Sequence, residues 1–172
     1  IMQEQSGKTG FDNRPLLDKI TAFSGEIMES MKDIVWDINT RNDTFDRIIS
    51  RMREYATQLL EPKGYRVHFQ VEESLNTLVL GMEKRRDFFL IFKETLNNVL
   101  KYAGGEQVWI SLALHSDEMT LTVRDDGRGF DRDRVSSGNG LYNMQQRAGH
   151  LKGRLRVDSA EGQGTEVALT FK

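Results

Sequence analysis

Glu94, Asn98 and Lys101 stand four and then three residues apart in KETLNNVLKYAGG, so on a helix they share one stripe. A carboxylate, a carboxamide and an ammonium side by side can each do a different job at a phosphate. The amide oxygen is a hard donor suited to Mg2+. The carboxylate can orient or deprotonate an attacking group, and the ammonium can neutralise phosphate oxygens. The solvated face of an amphipathic helix would look the same.

Three glycine-bearing segments follow. In Asp125-Asp126-Gly127-Arg128-Gly129-Phe130, two glycines spaced by one residue let the backbone turn sharply and let a flat ligand come close. A carboxylate at a strand end can accept a hydrogen bond from an exocyclic amine such as that of adenine. An ordinary acidic turn fits equally. Gly138-Asn139-Gly140 comes just before a predicted helix, where free backbone N–H groups and the positive end of the helix dipole attract anions. A plain helix-opening turn is the alternative. The segment is no dinucleotide fingerprint, because the glycine at the sixth position is missing, and no Walker loop, which needs Lys followed by Ser or Thr. Gly162-Gln163-Gly164-Thr165 alone reads as a hairpin turn.

These segments need elements to position them. Residues 1–14 show no period and read as a linker, a trimmed loop or a cloning remnant. After Pro15 a stripe of Ile20, Ile27 and Ile34, filled by Met31 and Ile38, predicts a coiled-coil-like helix. Asn39 to Thr44 breaks it, and a second amphipathic helix carries Phe45, Ile48, Ile49, Met52, Tyr55, Leu59 and Leu60 up to Pro62 and Gly64. RVHFQV alternates as a strand. A long helix runs from about Met82 to Ala103 and stops at Gly104-Gly105. QVWISLAL and MTLTVRD are strands around the turn HSDE. A helix follows to His150, then the strands RLRVDS and TEVALTF. The order predicts an α+β, two-layer α/β sandwich: a mixed, mainly antiparallel sheet with helices on one face, preceded by the coiled-coil-like helix.

The 172 residues carry 24 basic and 26 acidic side chains, a net charge of −2 that argues against nucleic acid as the main partner. Cysteine is absent, which excludes disulfides, thiolate metal sites and cysteine nucleophiles. No apolar run is long enough to span a bilayer, so a cytoplasmic location is expected, with membrane attachment of a parent protein left open.

In joint order and spacing the four segments resemble the ATP-binding domain shared by sensor histidine kinases, gyrase-type topoisomerases, heat-shock chaperone ATPases and MutL-type mismatch-repair ATPases. KETLNNVLKYA is similar to that family's N box, DDGRGF to its G1 box, GNGLYNM to its G2 box and GQGT to its last glycine segment. The resemblance covers about residues 64–172. The G-x-G-L-x-x-M-x-x-R form and a short lid between Phe130 and Gly138 resemble the nitrate-sensor and desaturase-regulator branch of the kinases. SGEIMESMKDIVWDINTRND resembles the end of a second dimerisation helix and its hinge. Residues 15–41 are thus expected to end a dimerisation helix, and 42–172 to form the catalytic domain.

The resemblance implies ATP and Mg2+ as cofactors, with roles carried position by position. Asn98 would ligate Mg2+ at the phosphates, Glu94 would assist proton transfer from the phospho-accepting histidine, and Lys101 would contact phosphate. Tyr102 would lie near ribose or adenine, and Asp125 would bind the adenine amino group. Gly127 and Gly129 would leave room for the ring, whereas Gly138, Gly140 and Leu141 would serve the lid and the phosphates. Thr165 would complete the adenine pocket. A D-L-H-D stretch, normal on the acceptor helix of such kinases, does not occur, and His68, His115 and His150 read as surface residues. The chain is expected to bind ATP without phosphorylating itself. Its implied partners are the acceptor-histidine helix of the parent kinase, a second copy in a homodimer, and a response regulator. The alternatives are a nucleotide-binding scaffold and an anti-sigma-type serine kinase of the same fold.

Overall fold

The structure, a computed structural model, describes residues 44–131 and 139–172, together with Leu17, Ile20, Thr21, Phe23, Ser24, Met28 and Met31. The chain divides into two compact units, Ile1–Ile38 and Asn39–Lys172. In the first, the described residues are helical, and Leu17, Ile20, Phe23, Met28 and Met31 are all exposed. Ile27, Ile34 and Ile38 of the expected stripe, and Trp36, lie outside the described residues.

The second unit opens with α1 (Phe45–Leu60), whose buried Phe45, Ile48, Ile49, Met52, Ala56 and Leu60 recur at helical spacing. The chain then forms β1 (Arg66–Val71), α2 (Met82–Asn98) with a π-helical extension over Val99–Ala103, and β2 (Gln107–His115). The hairpin partner β3 (Glu118–Asp125), the helix α3 (Asn139–His150) and the strands β4 (Arg154–Ser159) and β5 (Thr165–Phe171) complete it. The sheet order is β1-β2-β3-β5-β4, with β1 and β4 at the edges. β1 pairs with β2 in parallel and every other pairing is antiparallel. This is the expected mixed sheet, and the parallel pair exists because α2 carries the chain back across one face.

One face of the sheet points at the helices. Val108, Ile110 and Leu112 of β2, Met119, Leu121 and Val123 of β3, and Val167, Leu169 and Phe171 of β5 are buried there. Phe88, Phe89, Ile91 and Phe92 of α2 are buried as well. The Phe88 ring packs 5.6 Å from Phe171 and 6.1 Å from Phe45, which ties sheet, α2 and α1 together. The opposite face is polar. Trp109 is 37% exposed there and stacks on His68 at 5.5 Å. His68 is thus the outward strand residue the alternation suggests.

Candidate functional site

α2, the end of β3, the first turn of α3 and the start of β5 surround a cavity of about 550 Å3. That size suits a small organic ligand. Its wall includes Glu94, Asn98, Lys101, Tyr102, Asp125, Gly129, Gly140, Leu141 and Thr165. Residues scattered over some seventy positions of sequence are therefore brought to one place.

Glu94 and Asn98 stand one helical turn apart on α2. Beyond Asn98 the helix widens into the π turn, and left-handed Gly104 (φ 63°) ends it. The wide turn adds backbone between Asn98 and the helix end, and Lys101 and Tyr102 both line the cavity from it while staying exposed. Spacing alone predicts an ordinary α-helix here. The difference matters because a π turn rotates every side chain beyond it relative to Glu94.

Asp125 is the last residue of β3 and only 3% exposed. Its Oδ1 accepts the Gly127 N–H at 2.9 Å. Burial pushes its carboxyl above the ordinary carboxylate value. The backbone N–H groups of Gly127 and Thr165 work against that rise, and the neighbouring Asp126 charge adds to it. Asp126 faces the other way and accepts the backbone N–H groups of Glu106 and Gln107, both at 2.8 Å. Its partial burial raises its pKa, yet those two N–H groups outweigh the rise and leave it lowered. Two adjacent aspartates thus have opposite jobs: one fastens the loop to β2, and the other faces the cavity.

The glycines of this loop are explained by close approach. A Cβ on Gly127 would collide with the Ala103 carbonyl oxygen, and one on Gly129 with that of Ala160. Gly129 lines the cavity; Gly127 packs behind it against the end of the helix. Gly127 thus has a packing reason of its own for lacking a side chain. Arg128 between them donates its N–H to the Ala103 carbonyl at 2.8 Å and accepts the Gly162 N–H at 2.6 Å, so the loop is pinned on both sides.

Ser159, at the end of β4, is a junction that sequence reasoning missed. Its Oγ accepts the Phe130 N–H at 3.0 Å, donates to the Gly164 carbonyl at 2.9 Å and shares a hydrogen bond with Thr165 Oγ1 at 2.9 Å. The Thr165 hydroxyl expected to face a ligand is therefore engaged with Ser159, while its backbone N–H supports Asp125. An isolated serine at a strand end carries no signal of this. Also unforeseen is the apolar floor of Val99, Val123, Met144, Val157 and Val167. Each reads in the sequence as ordinary core.

α3 begins two residues earlier than the glycine pair suggests. Asn139 and Gly140 form its first turn, where backbone N–H groups have no helical partner, so a glycine costs little there and leaves them open. Gly138 and the lid up to it lie outside the described residues. A Cβ on Gly140 would strike Glu94 Oε1, so the Glu94 carboxylate lies directly against the opening of α3. No hydrogen bond or ion pair engages that carboxylate among the described residues.

Among the described residues no cluster of three or more acidic or histidine side chains could hold a metal unaided. Asn98 and Glu94 offer hard oxygens along one wall. That donor set fits a cation such as Mg2+, which binds through few protein oxygens and takes the rest from phosphates and water.

The model of the histidine kinase-, DNA gyrase B- and HSP90-like ATPase family matches residues 83–172. The sensor histidine kinase LiaS of Bacillus subtilis is 29% identical over 119 residues, 69% of this chain and 33% of that protein. The nitrate/nitrite sensor protein NarX of Escherichia coli is 28% identical over 160 residues, 83% of this chain and 27% of that protein. The chain spans about a third of the length of these curated relatives. The histidine kinase domain of the Erythrobacter litoralis EL346 blue-light activated kinase superposes with a TM-score of 0.62 at 22% identity, over 72% of this chain and 60% of that one, which shows a shared fold. With the cavity walls built from the four glycine- and asparagine-bearing segments, and with more than half its length matched, the chain belongs to the histidine kinase-, DNA gyrase B- and HSP90-like ATPase family.

Proposed function

We propose that this chain is the ATP-binding catalytic part of a two-component sensor histidine kinase. It would pass the γ-phosphoryl group of ATP to a histidine on a dimerisation helix, and thence to a response regulator. The observation that carries the reading is that two unlike sets of wall groups line one cavity. Buried Asp125 comes with apolar Val123, Val157 and Val167, and Glu94, Asn98 and Lys101 come with the first turn of α3.

Asp125 accepts a hydrogen bond from the purine amino group, and Val123, Val157 and Val167 enclose the flat ring. The first-turn amides of α3 and the Lys101 ammonium take the phosphate oxygens. Asn98 Oδ1 would hold Mg2+, an ion that would supply neutralisation of the charge developing on the transferred group. Glu94 orients the incoming imidazole and takes up its proton. Positioning and electrostatics carry the reaction, with no covalent intermediate on these residues.

Calorimetry with ATP and Mg2+ tests the two walls separately. Asp125→Asn should weaken adenine nucleotides about tenfold whether or not metal is present, the scale of one hydrogen bond to a charged group. Asn98→Ala should weaken mainly the metal-dependent part. Equal losses from both, or none, contradict the assignment. The transferase reading requires acid-labile phosphate on an added acceptor-helix segment; acid-stable phosphate would favour the serine kinase instead.

A further inference from the structure

α3 lies antiparallel to α2, and the two touch at three heights. At the cavity, Glu94 rests against Gly140. In the middle, Thr95 Oγ1 lies 3.4 Å from the buried Met144 sulfur. Farthest from the cavity, Asp87 Oδ1 accepts Arg147 Nη1 at 2.9 Å and Asp87 Oδ2 pairs with His150 Nδ1 at 3.2 Å. Asp87 precedes Glu94 by seven residues and Arg147 follows Gly140 by seven, two helical turns or about 10 Å in each case.

These contacts differ in what they can fix. Met144 and Ala148 are buried apolar side chains, and apolar contact is non-directional, so it tolerates sliding along the groove. Gly140 has no side chain to hold. Of these three contacts, the last is charged, two-pronged and geometrically strict. The Asp87 side chain is 15% exposed and that of Arg147 33%, so water weakens the pair less than it would on an open surface.

We propose that Asp87 is a positioning residue for the phosphate tail of the nucleotide: by gripping Arg147 and His150 it sets how far the first turn of α3 reaches over Glu94 and Asn98. This rests on the nucleotide-binding reading above. A site for phosphates and metal must hold its groups to within about half an ångström, and sliding of α3 would spoil that without touching the purine wall.

The test uses the whole 172-residue chain and Asp87→Asn, which keeps shape and removes charge. Mg-ATP should bind about tenfold more weakly, the scale of a charge-assisted hydrogen bond, while adenosine, which lacks phosphates, keeps its affinity. Amide hydrogen exchange across Asn139–His150 should quicken in the nucleotide-free variant, with α1 and β1 unchanged. Equal weakening of ATP and adenosine, or unchanged ATP binding, would overturn the proposal. So would unaltered exchange in α3. Should the unmodified chain bind no ATP, the nucleotide-binding reading fails while the exchange measurement still judges the grip.

Discussion

Asp125 is held in a position that burial disfavours. A carboxyl whose pKa is higher folded than unfolded takes up its proton more readily in the folded state. Its destabilising effect is absent in acid, where both states are protonated, and grows as pH rises through the unfolded and then the folded pKa. Asp125→Asn should therefore raise the Tm of the nucleotide-free chain by a few degrees at neutral pH and by almost nothing near pH ~3, below the ordinary carboxylate pKa. Calorimetric melts at both pH values check this, and a rise that is equal at the two would contradict it. The variant that loses nucleotide gains stability, the trade expected where a charge is kept buried for binding. At this scale the sequence was informative for residues that act through their own chemistry. Glu94, Asn98, Lys101 and Asp125 reach one cavity as their motif order suggests. It was silent on Ser159 and on the engaged Thr165 hydroxyl, because those depend on the β4–β5 turn meeting the loop after β3, which no local pattern encodes.

Among the elements, the turn between β4 and β5 shows how two similar glycines can matter differently. Gly162 and Gly164 both have left-handed φ values, 76° and 75°. A Cβ on Gly162 would meet nothing within 4 Å, whereas one on Gly164 would run into the Asp125 carbonyl oxygen. Gly162→Ala should cost about 1 kcal/mol from the backbone alone. Gly164→Ala should cost at least about 2 kcal/mol, because the same strain is joined by a clash with main chain that cannot move aside. Denaturant titration of the two variants checks the difference in sign and order. The helices and strands themselves were legible, since period 3.6 and period 2 are local signals. The π turn after Asn98 was not, and neither was β5 inserted between β3 and β4, because both follow from how distant segments pack rather than from spacing within one segment.

For the whole molecule, the first unit carries the clearest unpartnered apolar surface, with Ile20, Phe23, Met28 and Met31 between 53% and 65% exposed. A helix with such a seam buries it against another helix. Sedimentation should show the chain associating with itself as concentration rises, and Ile20→Lys with Met31→Lys should return it to a monomer. A strict monomer at high concentration would count against this seam.

The two margins of the sheet tell the complementary story. Arg154, Arg156 and Asp158 alternate along β4, and Arg66, His68 and Gln70 along β1, all exposed. A strand of another molecule arriving at either border would have to settle its own side chains among guanidinium groups already paired with carboxylates, Arg156 with Asp158 and Glu166, and Arg66 with Glu106. Backbone pairing at these two borders is therefore a poor route to self-recognition, because an incoming strand gains its ladder of hydrogen bonds only by displacing ordered charges.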